Sequence, residues 1–234
     1  MAGEDMPTLP WRKPRRQAKV PLSQELIVQA AITILDEEGL NGVSMRRIAQ
    51  ELGTGPASLY AYVSNKDELL ELVLEAVAAE IEVPEAPDPA RWQEQLKDIG
   101  RSMRNVWSSH GDIALISLAN VPTGYNQLRV AEAIVAILRG AGIPDQVASW
   151  TIDRFSAMVD ADALETAMYN SKIKHGVDIE AYFAGLQEFF RKLPPERFPH
   201  LTGVGDALTH GDEVERFEFG LDVFIRGLET YLPG

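Results

Sequence analysis

The sequence predicts an all-α protein in two parts: an N-terminal three-helix domain containing a helix-turn-helix, and a larger C-terminal helical bundle that includes a dimerising four-helix bundle. Three observations carry this. Apolar residues recur at helical spacing from Ser23 almost to the end of the chain, with no hairpin signal between alternating runs. Pro84-Glu85-Ala86-Pro87 breaks the pattern and separates a region of short helices from one of long helices. Charge is shared unevenly: the chain carries −13 overall, yet residues 1–66 are net +1 and residues 67–234 net −14. Such asymmetry is expected where one end meets a polyanion and the other does not.

Composition sets the limits. A chain of 234 residues buries roughly 70% of its unfolded surface on folding. With 45% hydrophobic and 24% charged residues, and no run of about 18 apolar ones, it reads neither as a disordered polymer nor as a membrane span. Cysteine is absent, which removes disulfides, thiol nucleophiles and cysteine-ligated metals. Without an apolar segment like a secretion signal near residue 1, the expected location is the cytoplasm.

Residues 1–20 hold Pro7, Pro10 and Pro14 around Trp11-Arg12-Lys13-Pro14-Arg15-Arg16 and read as a flexible basic arm. The helix-turn-helix domain is assigned to residues 21–66. Ser23 is the expected N-cap of a first helix whose Leu26, Ile27, Ala30, Ala31, Ile34 and Leu35 share one side, and Gly39 stands where a helix ends left-handed. Ser44 caps a second helix that buries Met45, Ile48, Ala49 and Leu52 before the Gly53-Thr54-Gly55 break. Pro56 suits the first turn of a third, with Leu59, Tyr60 and Val63 as its apolar side. The Ser64-Asn65-Lys66-Asp67 capping box opens a connecting helix over 67–83, through Leu69, Leu70, Leu72, Val73, Val77 and Ile81.

The remaining domain, 88–234, opens at Asp88-Pro89 with a helix carrying Trp92, Leu96, Ile99, Met103, Val106 and Trp107. Further helices are expected over 124–140, 144–172 and 179–193, followed by a loop-like stretch over 194–211. In the last helix Val214, Phe217, Leu221, Phe224, Leu228 and Tyr231 step by three and four, a heptad seam, with Gly220 and Gly227 seven apart. We assign Val214, Phe217, Leu221, Phe224 and Leu228 to dimerisation, with one face of an internal core as the alternative.

Two short helices around a Gly-Thr-Gly turn are compatible with any three-helix bundle. The donors gathered near them narrow the choice: Ser44, Arg46, Tyr60, Tyr62 and Lys66 all suit phosphates. The run Leu-Gly-Thr-Gly-Pro-Ala-Ser-Leu-Tyr-Ala-Tyr-Val-Ser-Asn-Lys-Asp-Glu-Leu-Leu over 52–70, within residues 23–81, closely resembles the DNA-binding domain of TetR-family regulators. More loosely, Arg216-Phe217-Glu218-Phe219-Gly220-Leu221-Asp222 and Gly227-Leu228-Glu229 resemble the end of a tetracycline-repressor type of C-terminal domain.

The resemblance implies that Ser44, Arg46, Pro56, Ala57, Ser58, Tyr60, Tyr62 and Lys66 touch double-stranded operator DNA. Chemistry then divides the roles: Tyr60, Tyr62 and Lys66 suit phosphates, Arg46 reaches a guanine edge, and Ala57 packs on a thymine methyl. Because Gly55-Pro56-Ala57 stands where many relatives carry longer polar side chains, base readout by the third helix is expected to be thin. Arg12, Arg15 and Arg16 of the arm are therefore expected to enter the flanking minor groove. The resemblance further implies a homodimer, a chamber for a small, largely apolar effector, and a connecting helix that passes ligand binding to the recognition helices.

Met103, Trp107, Tyr125, Asn126, Trp150, Phe155 and Met158 are the candidate chamber residues, chosen as aromatic, sulfur-bearing or amide groups on expected helices, with Tyr169, Asn120 and His110 nearby. Asp153 and Asp160, one heptad apart, read as a solvated face. His110, His175, His200 and His210 have no metal spacing, and Gly203-Val204-Gly205 is not a dinucleotide loop, so neither metal nor cofactor is expected. The reading is a ligand-released repressor and not an enzyme. The alternatives are a DNA-binding dimer without ligand gating, and a helical enzyme, for which no nucleophile–base pair is visible.

Overall fold

Ser23 Oγ accepts the Leu26 N–H (3.3 Å), and α1 (Gln24–Glu38) runs from there to Gly39, where the chain leaves at φ +73°. The computed structural model describes residues 21–233. The basic arm, with Arg12, Arg15 and Arg16, lies outside the described residues. Ser44 Oγ caps α2 (Met45–Glu51) on the Arg47 N–H (3.2 Å), and α3 (Pro56–Leu59) opens with its proline. α3 is one turn long, shorter than its apolar pattern suggests. The N–H groups of Tyr62 and Val63 both return to the Leu59 carbonyl (2.9 and 3.0 Å), which closes the turn. Leu59 and Val63 stay inside, and Tyr60 and Tyr62 point outward.

α4 (Lys66–Ala78) is capped by Asn65, whose Oδ1 accepts the Glu68 N–H (2.8 Å) while Glu68 Oε2 accepts the Ser64 N–H (2.6 Å). These two reciprocal bonds satisfy donors that a helix start otherwise leaves unpaired. The helix proper stops at Ala78, and Ile81 is buried from the turn beyond it.

The second part consists of α5 (Trp92–Ser109), α6 (Ile113–Ala119), α7 (Tyr125–Gly140), α8 (Asp145–Lys174), α9 (Ile179–Arg191), α10 (Pro199–Val204), a 3₁₀ turn (Gly205–Thr209) and α11 (Glu213–Glu229). No strand occurs among the described residues. α8, at 30 residues about 45 Å long, is the spine. α5 packs along it, with α6, α7 and α11 around it. Gly100 permits the closest approach, since a Cβ there would lie 2.9 Å from Phe155 Cζ and 3.0 Å from Leu221 Cδ2. Arg101 then clamps α5 to α11 by a two-pronged bond to Glu218 (2.7 and 2.8 Å), and Lys97 pairs with Asp222 (2.5 Å).

Three expectations are corrected here. α6 has no counterpart among the expected helices, because its seven nearly all-apolar residues show no helical period. The 194–211 stretch contains α10 and the 3₁₀ turn rather than only loop. Most importantly, the heptad seam of α11 is spent within the chain. Leu221 is 0% exposed, Phe217 and Leu228 are buried, and Phe224 meets Phe155 at 5.6 Å between ring centroids. Val214, at the other extreme, is exposed. No helix of the described chain approaches Gly227, and Gly220 meets only Met158 Sδ in ordinary contact.

Candidate DNA interface and ligand chamber

On the N-terminal domain, Ser44, Arg46, Pro56, Ala57, Ser58, Tyr60, Tyr62 and Lys66 are all exposed. The two arginines of α2 differ in their engagement. Arg47 is held by Glu38 (2.8 Å) and Glu51 (2.7 Å), whereas Arg46 projects outward with no ion pair among the described residues. Arg47 therefore neutralises two carboxylates beside the face, and Arg46 is left available. Gln24 Nε2 donates to the Tyr62 carbonyl (3.1 Å) and ties the turn after α3 to α1.

In the C-terminal domain a cavity of about 370 Å³ opens between α4, α5, α6, α7 and α8. Leu74 and Ala78 of α4, Met103 and Trp107 of α5, Val130 and Ile134 of α7 and Ile152 of α8 make it largely apolar. Of the seven chamber candidates it brings together only Met103 and Trp107, with Asn120 added from the loop after α6. Tyr125 (79% exposed) and Trp150 (64% exposed) face outward. Phe155 is core between α5 and α11, Met158 lies beside Gly220, and Tyr169 stacks on Phe183 of α9. Asn126 donates to the Glu75 carbonyl (3.2 Å) and serves as a strut to α4.

The stripe that α8 turns to the cavity is instead small and polar: Ser149, Asp153, Ser156, Ala157 and Asp160. The solvated-face reading of Asp160 is thus corrected, since it is only 2% exposed. Ser117 Oγ donates to its Oδ2 (3.0 Å), but its Oδ1 has no hydrogen-bond partner. The buried indole N–H of Trp107, with no other partner, is directed at the same carboxyl. Burial pushes the Asp160 carboxyl up to about 6, against the pull of the Ser117 hydroxyl and of Trp107.

Two sets of bonds connect chamber and DNA face. Glu75 on α4 accepts the Asn126 N–H (2.6 Å) at the start of α7, and Arg129 on α7 donates to the carbonyls of Ala78 (3.3 Å) and Ile81 (2.8 Å) at the end of α4. Each charge meets the helix end of opposite polarity. His110-Gly111-Asp112, between α5 and α6, docks on the end of α1. Asp112 Oδ2 accepts the Leu40 N–H (2.8 Å), and the His110 ring lies between Asp36 (3.2 Å) and Glu80 (3.3 Å). Desolvation in this contact raises the Asp36 proton affinity, with the His110 charge opposing it. Gly111, at φ +48°, fits because a Cβ would fall 2.5 Å from the Leu35 carbonyl oxygen. His110 is therefore a domain contact and not a chamber group.

Comparison with known proteins places this geometry. Residues 27–73 match the tetR family of bacterial regulatory proteins, and residues 84–232 match the tetracyclin repressor-like C-terminal domain. The chain belongs to the TetR family. The HTH-type transcriptional repressor DrrR1 of Streptomyces coeruleorubidus is 30% identical over 221 residues, 94% of this chain and 82% of its own. The class E tetracycline repressor protein of Escherichia coli is 32% identical over 170 residues, 72% of this chain and 80% of its own. Among solved structures, ActR of Streptomyces coelicolor in complex with actinorhodin superposes with a TM-score of 0.80 at 42% identity, covering 90% of this chain and 98% of that one. This TetR-family chain is a DNA-binding transcriptional regulator. No helix among its described residues is long and apolar enough to cross a membrane, and no group of three or more His, Asp or Glu there is arranged to hold a metal.

Proposed function

We propose that two copies of the chain pair and hold their α3 helices in successive major grooves of a palindromic operator, and that a small apolar effector in the 370 Å³ chamber releases the DNA. The observation that carries this is the course of α4. Lys66 begins it on the DNA face, and Leu74 and Ala78, two to three turns on, line the chamber wall. A ligand that moves this wall moves Lys66 and the turn bearing Tyr60 and Tyr62 with it. Because α4 is bonded at both levels to α7, and α1 to the His110–Asp112 loop, the displacement is carried by packed helices and not absorbed by a loose linker.

Pairing is supported by surface that the chain leaves open. Beyond its internal seam, α11 exposes Phe219 (70%) and Val223 (54%), and α8 exposes Trp150 and Met168. α9 has an apolar side yet no buried residue. Such helices gain by burying this surface against a second copy. Tyr60, Tyr62 and Lys66 contact phosphates, Arg46 and Ala57 contact bases, and Arg12, Arg15 and Arg16 reach the flanking minor groove. The test is a screen of apolar compounds for those that raise the melting temperature, followed by operator binding in their presence. A compound that binds in the chamber and weakens operator binding supports gating. Chamber ligands that never alter operator binding would leave an ungated DNA-binding dimer.

A further inference from the structure

The chamber wall contains one feature that an apolar effector alone does not explain. Of all its lining side chains only Asp153 and Asp160 ionise, and α4, α5, α6 and α7 contribute no charged group to it. Asp153 is held from outside by its neighbour Arg154, whose Nε lies 2.8 Å away. Asp160 has no such cation. The nearby Arg104 of α5 is occupied with Asp162 (2.5 Å) and Thr166 (3.1 Å). The described chain thus carries a cavity-lining carboxylate 98% removed from solvent, with the Ser117 hydroxyl on one oxygen, the Trp107 indole N–H directed at the carboxyl, and no cation.

A buried carboxylate without a cation is costly, because water has been removed and only a neutral hydroxyl and an indole N–H stand in its place. A ligand that brings its own positive charge to the carboxylate removes that cost and gains a charge-assisted hydrogen bond in a low-dielectric site. A ligand carboxylate there faces like charge with no counterion, and is rejected for the same reason. Resting on the chamber reading above, we propose that the effector is a largely apolar molecule bearing one protonated amine, and that this amine docks on the Asp160 carboxylate. Asp160 is thereby the group that sets effector class. Its raised proton affinity has a consequence for binding: near pH 5 the carboxyl is protonated before the ligand arrives, and the preference for a cation shrinks.

The experiment is calorimetric titration of the full-length protein with three probes of one shape: 2-naphthylmethylamine, 2-naphthalenemethanol and 2-naphthoic acid. At pH 7.5 the amine is expected to bind at least about tenfold more tightly than the alcohol, the value of one desolvated charged hydrogen bond, and the acid more weakly than both. The amine-over-alcohol ratio is expected to fall on going to pH 5, where the amine remains fully charged. In Asp160→Asn the amine should drop to the level of the alcohol, with alcohol affinity preserved. Equal affinities for amine and acid in the wild-type protein, or an unchanged amine preference in Asp160→Asn, overturns the proposal and leaves the chamber reading standing. Failure of all three probes to bind overturns the chamber reading together with it. The wild-type ranking stands whether or not the variant folds.

Discussion

Leu221 and Phe219 lie on one helix, two residues apart, and are assigned opposite jobs. Leu221 is fully buried inside the chain under Gly100, whereas Phe219 is 70% exposed and is assigned to the interface between copies. Truncating a buried leucine removes its transfer free energy and leaves a cavity, about 2–5 kcal/mol in all. At this chain length each kcal/mol shifts the melting temperature by about 2–4 °C, so Leu221→Ala should lower it by about 4–20 °C while the molecular mass in light scattering stays that of a dimer. Phe219→Glu should do the reverse. It places a charge in the paired surface, so the mass falls to that of a monomer at low micromolar concentration and operator binding weakens sharply, because two half-sites about 34 Å apart are no longer held together. Thermal denaturation and light scattering on the same samples read both. A folded monomer from Leu221→Ala with an unshifted melting curve, or an intact dimer from Phe219→Glu and Val223→Glu alike, would refute the assignment.

The other predictions concern the DNA face, the domain contact and pH. Lys66→Ala and Tyr60→Phe should weaken binding to operator and random DNA about equally, with Lys66→Ala lowering the salt slope by about one. Arg46→Ala should cost about 1–3 kcal/mol on operator and less on random DNA, and equal losses in a competition assay would remove its base-reading role. Asp112→Ala strips the acceptor from the Leu40 N–H, destabilising by about 1–3 kcal/mol. It should also shrink the factor by which a chamber ligand weakens operator binding; an unchanged factor would show that the loop is only structural. The Asp160 carboxyl is raised from 3.8 to about 6, so the folded state binds its proton more tightly than the unfolded state. That contribution to stability is present below about pH 4 and lost as pH rises through about 6, and at pH 8 Asp160→Asn should be the more stable protein by an amount on the order of 2–3 kcal/mol. Urea unfolding of both proteins at pH 4.5 and 8 measures the difference, and a gap that does not widen with pH would contradict it. Deleting residues 1–19 should cost on the order of 1–3 kcal/mol in operator affinity and remove minor-groove protection, with the dimer intact.

What was legible in the sequence was local. Ser23, Ser44 and Gly39 take their expected places because caps act over three or four residues, whereas Tyr60, expected on the apolar side of the third helix, is exposed because that helix closes after one turn. What was not legible depended on which partner a stripe meets. The α11 heptad says that Leu221 and Phe224 face a helix, but not whether that helix is α5 of the same chain or belongs to another. Choosing chamber residues by aromatic or sulfur character selected Phe155, Met158 and Trp150, which fill the core or face outward. The cavity exists where side chains are short, as at Ala78, Ser149, Ser156 and Ala157. Asp160 reads as solvated in the sequence because carboxylates usually are, and its burial depends on where α8 meets α5 and α6.

Gating requires that the chamber and the operator share one equilibrium. The direct measurement is a pair of titrations: an operator duplex, selected from random sequence by the protein itself, titrated with and without a saturating chamber compound, and the compound titrated with and without saturating duplex. Coupled sites must weaken each other by the same factor. We expect a factor of about 5–150 in both directions, the usual range for such coupling. Equal operator affinities in the presence and absence of a compound that calorimetry shows to be bound would contradict the account.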